Sequence, residues 1–114
     1  MPFPLDERWL REAEQLLGKQ LPDSYRTRMM RQNGGEIELG NDWWTLHPIF
    51  DQSDRKRITR TCNHIVSETA SAREWRGFPS GALAIGSNGS GDILVLLPDG
   101  QDQEFYGSAV YFWD

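Results

Sequence analysis

The chain has 114 residues, room for one domain with a modest core, and its 38% hydrophobic and 25% charged content excludes disorder as the starting assumption. No run approaches the ~18–20 apolar residues of a membrane span, and the opening Met1-Pro2-Phe3-Pro4-Leu5 lacks the basic and apolar regions of a secretory signal. The net charge of −5 argues against a nucleic-acid or anionic-membrane partner, and the lone Cys62 excludes an internal disulfide and points to a reducing, cytoplasmic compartment.

Asp6 to Leu17 reads as a first helix. Trp9, Ala13, Leu16 and Leu17 share a face, Asp6 can cap the start, and Gly18 stands where a terminating glycine belongs. A short second helix follows, with Pro22 in its first turn, Tyr25 and Met29 one turn apart, and Asn33-Gly34-Gly35 as its stop. From Glu36 the period changes to alternation: Glu36–Leu39, a turn at Gly40-Asn41-Asp42, and Trp43–Leu46 form a hairpin closed by Pro48. Ser53 to about Arg73 is the longest helical pattern, with Ile58, Cys62, Ile65, Val66 and Thr69 in one stripe. Ala82–Ile85 is then a short strand, Gly86–Asp92 a glycine-rich turn, and Ile93–Leu97 a strand apolar on both faces. Glu104–Tyr106 and Val110–Trp113 complete the set. Helices first and hairpins late give an α+β class: helices packed on a mainly antiparallel sheet of about five to six strands, in one domain over 1–114.

Charge is unevenly spread over these elements. Residues 1–52 hold six Arg/Lys against nine Asp/Glu, and residues 53–76 hold six against three. Residues 77–114 hold no basic residue against five acidic ones: Asp92, Asp99, Asp102, Glu104 and Asp114. An acidic region of this kind speeds encounter with basic partners. A solvated face that serves only solubility fits the same charges.

Catalytic signals are few. His47 ends a strand before Pro48, and His64 lies within the long helical pattern, two residues from Cys62. Positions two apart on a helix point about 200° from each other, so Cys62 and His64 cannot grip one metal there. Both histidines read as structural, and Cys62 as a small core residue. No zinc spacing, Walker loop or nucleophile elbow is present. The turn Gly86–Asp92 has no lysine and no helix after it, so a wide hairpin turn is the better reading than a phosphate cradle. The run Arg55-Lys56-Arg57 with Arg60 lacks interleaved aromatics and reads as a solvated face. Of the five tryptophans, Trp9 reads as core. Trp43 and Trp44 are adjacent in a strand and must face opposite ways. One exposed ring there, or Trp113, is a candidate interface anchor; packing against the long helix is the competing reading.

The order of motifs resembles the SUKH superfamily, in its Smi/Knr-type branch. The matching residues are Leu17-Gly18, Leu21-Pro22, Tyr25, Asn33-Gly34-Gly35, Trp44 and Phe78-Pro79. Ile85-Gly86, Asn88-Gly89, Gly91-Asp92 and Trp113-Asp114 continue the series. The resemblance implies an α+β fold and, in bacteria, an immunity protein that neutralises a secreted polymorphic toxin by direct binding. Such a toxin is often a nuclease. Fungal relatives act as regulatory interaction proteins in cell-wall synthesis, so a protein- or peptide-binding adaptor is the alternative. Neither role needs a catalytic group, metal or cofactor. The family usually continues through a tail, so the resemblance also implies a shortened C-terminus. Toxin contacts vary among members, so the motifs carry the fold rather than the contact surface. On the toxin-binding reading, Asp92, Asp99, Asp102 and Glu104 are the expected charge contacts, with Trp43 and Trp113 as anchors. An enzyme would need a carboxylate pair such as Asp42 with Asp92, brought together in a concave pocket.

Overall fold

The computed structural model describes residues 2–113; Met1 and Asp114, the last residue of the Trp-Asp motif, lie outside the described residues. Helix α1 spans Glu7–Leu17, with the Asp6 carboxylate accepting from Arg8 N–H at 2.9 Å and Gly18 ending it at φ 78°. The left-handed turn there is open to glycine at no steric cost. Helix α2 spans Asp23–Arg31, with Pro22 just before it as the extended cap residue rather than inside its first turn. The two helices are tied together by Glu14, whose carboxylate accepts from Leu21 N–H at 2.7 Å and faces Arg26 Nε at 3.3 Å. This fixes the Leu-Pro motif: Leu21 is buried between the helices while Pro22 sets the direction of α2.

Strands β1 (Gly35–Leu39) and β2 (Asp42–Leu46) form the expected hairpin. Next come helices α3 (Arg55–Arg60) and α4 (Ile65–Ala72). They are followed by β3 (Leu83–Ser87), β4 (Ile93–Pro98) and β5 (Tyr106–Trp113). The five strands lie in the order β1-β2-β3-β4-β5, every pair antiparallel. The fold is therefore α+β, as expected. Glu104–Tyr106 and Val110–Trp113 are not two strands: Tyr106 to Trp113 is one, and Phe105 only bridges Gln20.

The long middle helix is the main correction. It is broken at Thr61–His64 because tertiary hydrogen bonds there outbid helix continuation. The Thr61 hydroxyl accepts from the buried Asp51 N–H at 2.9 Å, and Ile65 N–H donates to Pro48 O at 2.9 Å. His64 is extended (φ −96°, ψ 172°) and its Nδ1 accepts from Ser67 N–H at 3.3 Å, so it caps α4 instead of lying mid-helix. Cys62 is exposed in the break rather than in the core, and Ile58 on α3 is exposed as well. Thr, Cys, Asn and His are all weak helix formers, a cue that the apolar stripe masked.

The core lies between one sheet face and the helices. Leu10 of α1, Met29 of α2, Ile65 of α4 and the strand residues Leu46, Leu83, Leu94 and Leu96 are all buried in one cluster. Complete burial of each such side chain is worth ~1.5–3 kcal/mol. Trp44 of β2 stacks on Phe112 of β5 with centroids 5.3 Å apart, across two intervening strands, so the sheet is curled. Helix α4 protects β3, because Ala84 N–H donates to the buried Thr69 hydroxyl at 2.9 Å beyond the point where β2 stops pairing.

Candidate protein-interaction face

The glycine-rich turn between β3 and β4 is organised by one side chain. The Asn88 carbonyl oxygen accepts from Ser90 N–H and Asp92 N–H, both at 3.0 Å. Those N–H groups are committed to the turn, which is the hairpin reading and not an anion cradle. The Asn88 amide then donates to Asp42 at 2.8 Å and to Asp92 at 3.3 Å. Asp42 and Asp92 do meet, therefore, but through a shared amide at the surface. Neither lines any of the principal grooves, and among the described residues no group of three or more His, Cys, Asp or Glu could hold a metal ion.

The two adjacent tryptophans divide as strand geometry requires. Trp44 is buried and Trp43 is 60% exposed on the other face. Trp43 adjoins Asp42, and Asp92 precedes Ile93, the register partner of Trp113. Trp43, Asp92 and Trp113 are thus gathered toward one end of the sheet. Trp113 is half-buried there, edge-on to Phe78 at 5.2 Å and to Trp75 at 6.4 Å. It packs on the segment after α4, partly as the competing reading had it. Asp99, Asp102 and Glu104 stand in the loop before β5, at the opposite end of that strand, where Pro98 pairs with Tyr106. A strand of this length separates the two groups by about 24 Å. Asp99 and Asp102 cap local turns, accepting from Gln101 N–H at 2.9 Å and Glu104 N–H at 3.0 Å.

Between these two acidic ends lies what residue-by-residue reading missed. Val110, Tyr111 and Phe112 are exposed, at 43, 49 and 66%, and Trp75 joins them beside Trp113. The signal was in the sequence: four consecutive apolar residues without alternation suit a central strand, yet this strand is at the edge. Tyr111 and the outer side of Phe112 are therefore presented to solvent, while Trp113 is half-covered.

Elsewhere the polar groups serve the fold. Trp9 Nε1 donates to the Ser53 hydroxyl at 3.0 Å, which donates to the buried Asp51 carboxylate at 2.6 Å. Arg57 Nε lies 3.6 Å from the same carboxylate. The half-buried His47 and His64 both titrate below the usual imidazole value, because burial disfavours the cation and Glu68 only partly opposes this. Above the unfolded value of 6.5 both states are neutral and stability is flat with pH. As pH falls through that value the unfolded chain takes up protons first, and native stability declines until the lowered native values are passed. The unfolding midpoint should therefore begin to drop as pH falls through 6.5. His64→Asn, which keeps a cap acceptor without titrating, should flatten that slope in thermal melts.

A curled antiparallel meander backed by helices, with acid and exposed rings along one edge, defines an α+β domain built around a single five-stranded sheet. The chain belongs to the SMI1 / KNR4 family (SUKH-1), whose model matches residues 4–114. No curated protein and no solved structure matches it. Among the described residues, no helix is long and apolar enough to cross a membrane.

Proposed function

We propose that this protein is an immunity protein, which binds a cognate secreted polymorphic toxin and neutralises it by direct contact in the cytoplasm, without catalysis. The observation that carries the reading is family membership over residues 4–114. The surface chemistry supports it. Residues 77–114 contain five acidic and no basic side chains, the complement of the basic groove a nuclease needs for its substrate. Trp43 is an exposed ring of the kind that anchors interfaces. Asp92, Asp99, Asp102, Glu104 and Trp113 are its proposed companions, extended here to Tyr111 and Phe112.

Co-expression with the toxin encoded beside this gene tests the proposal. Growth should be restored and a complex should co-purify. Trp43→Ala should weaken that complex by about 1–3 kcal/mol while leaving the free protein's melting curve unchanged, since the ring is exposed. Cell death despite folded protein at normal abundance would sink the reading, and an isolated gene with no toxin neighbour would favour the adaptor role.

A further inference from the structure

Strand β5 forms one edge of the sheet, paired with β4 alone. Only its start is covered on the outer side: Tyr106 N–H donates to Gln20 O at 2.9 Å, and Gln20 N–H donates to Glu104 O at 2.8 Å. From Gly107 onward no described residue pairs with that side. Backbone direction alternates along an antiparallel strand. With Tyr106 directed outward, Val110 and Phe112 also present N–H and C=O outward. The register irregularity preserves this parity, since it sets two steps on β4 (Leu96 to Pro98) against four on β5 (Tyr106 to Val110).

Exposed edges normally carry a charge, a proline or a covering element, because a bare ladder templates another strand. The opposite edge obeys: β1 exposes Glu36 and Glu38. β5 does not. Gly107-Ser108-Ala109-Val110-Tyr111-Phe112-Trp113 contains no charge and no proline.

Charge decides what fits there. Asp99, Asp102 and Glu104 stand at the start of the strand, and Asp92, with Asp42 held through Asn88, stands at its end. The cations beside Glu104 are engaged: the Lys19 ammonium donates to Gln103 O, Arg11 pairs with Glu7, and Arg26 lies against Glu7 and Glu14. A second copy of this chain, paired antiparallel through β5, would set the acidic start of each strand against the acidic end of the other. A strand with basic ends meets complementary charge at both.

We propose that β5 accepts an added β-strand from a protein partner: an extended segment, apolar at alternate positions, with Lys or Arg at both ends. Main-chain hydrogen bonds supply the affinity of such a pairing and the flanking charges supply its selectivity. This deepens the toxin-binding reading and rests on it for the partner's identity.

The probe is a synthetic peptide of alternating threonine and valine with paired lysines at each end, titrated into isotope-labelled protein and followed by amide NMR and hydrogen exchange. Shifts should concentrate in Gly107–Trp113, with new protection at Val110 and Phe112. Replacing the peptide's lysines by glutamates should weaken binding about tenfold or more. Val110→Pro removes an outward N–H at an edge position, where proline is tolerated, and should abolish binding with the thermal melt retained. The glutamate comparison uses the unaltered protein and stands whatever that variant does. Shifts elsewhere, no shifts at millimolar peptide, equal binding of the glutamate peptide, or dimerisation of the protein through β5 would each overturn the proposal. Peptide binding without rescue from the toxin would instead reject the immunity reading and leave the edge intact.

Discussion

An Asn33→Ala variant is expected to lose about 2–5 kcal/mol of unfolding free energy, read from urea denaturation at fixed m-value. Asn33 is buried, and its side chain imitates a strand: Nδ2 donates to Ile49 O at 2.8 Å and Oδ1 accepts from Ile49 N–H at 2.8 Å. Ile49 is itself fully buried. Truncating the amide leaves a backbone donor and a backbone acceptor in the core with no partner, each costing ~1–3 kcal/mol. Asn33→Asp should be nearly as harmful, because it keeps the acceptor, loses the donor and buries a charge. The adjoining Gly34, at φ 98°, passes close to the Leu46 carbonyl, where an added Cβ would lie at 3.2 Å. The Asn-Gly-Gly motif therefore joins the end of α2 to two later segments at once. A loss under 1 kcal/mol in Asn33→Ala would mean that water replaces the amide there.

Gly86→Ala is the second large effect, for a different reason. Its backbone angle suits any residue, but a Cβ would sit 2.8 Å from the Thr45 carbonyl oxygen and 3.4 Å from Leu46 Cα. Both contacts are backbone on the neighbouring strand, so a side-chain rotation relieves neither. The strands must separate, at about 1–3 kcal/mol. Separation here is especially damaging because β2 and β3 share two register pairs, Thr45↔Ser87 and Leu46↔Gly86, extended by one hydrogen bond from His47 N–H to Ile85 O at 2.8 Å. Hydrogen exchange should show the β2–β3 amides losing protection more than those of β4. Uniform loss across the sheet would instead indicate global destabilisation.

Local signals were legible in the sequence wherever neighbours in the chain decide the structure. The caps of α1, the β1–β2 hairpin, the opposed faces of Trp43 and Trp44, and the turn at Asn88 all follow from short-range geometry. What was hidden depends on distant partners. Nothing near Thr61 announces that its hydroxyl serves Asp51, so the stripe from Ile58 to Thr69 read as one helix and Cys62 as core. Gly86 stood out as a motif glycine, but its crowding against Thr45 appears only when the strands meet. The acidic third was visible as composition. Its division into the two ends of β5, with bare apolar edge between, needed the strand order. Asp42 and Asp92 did come together, on a surface amide rather than in a pocket.

The seam between β2 and β3 bears on how the chain assembles. The other three ladders join strands that are consecutive in sequence with no helix between them. The seam closes the whole excursion from Leu46 to Leu83, through α3 and α4, and closing a longer loop costs more chain entropy. The junction with the largest closure cost thus has the fewest register pairs to hold it. In kinetic terms, the β1–β2 hairpin and the β3–β5 meander are expected to form first and to join last at Gly86, an order that the folding rate of Gly86→Ala would check.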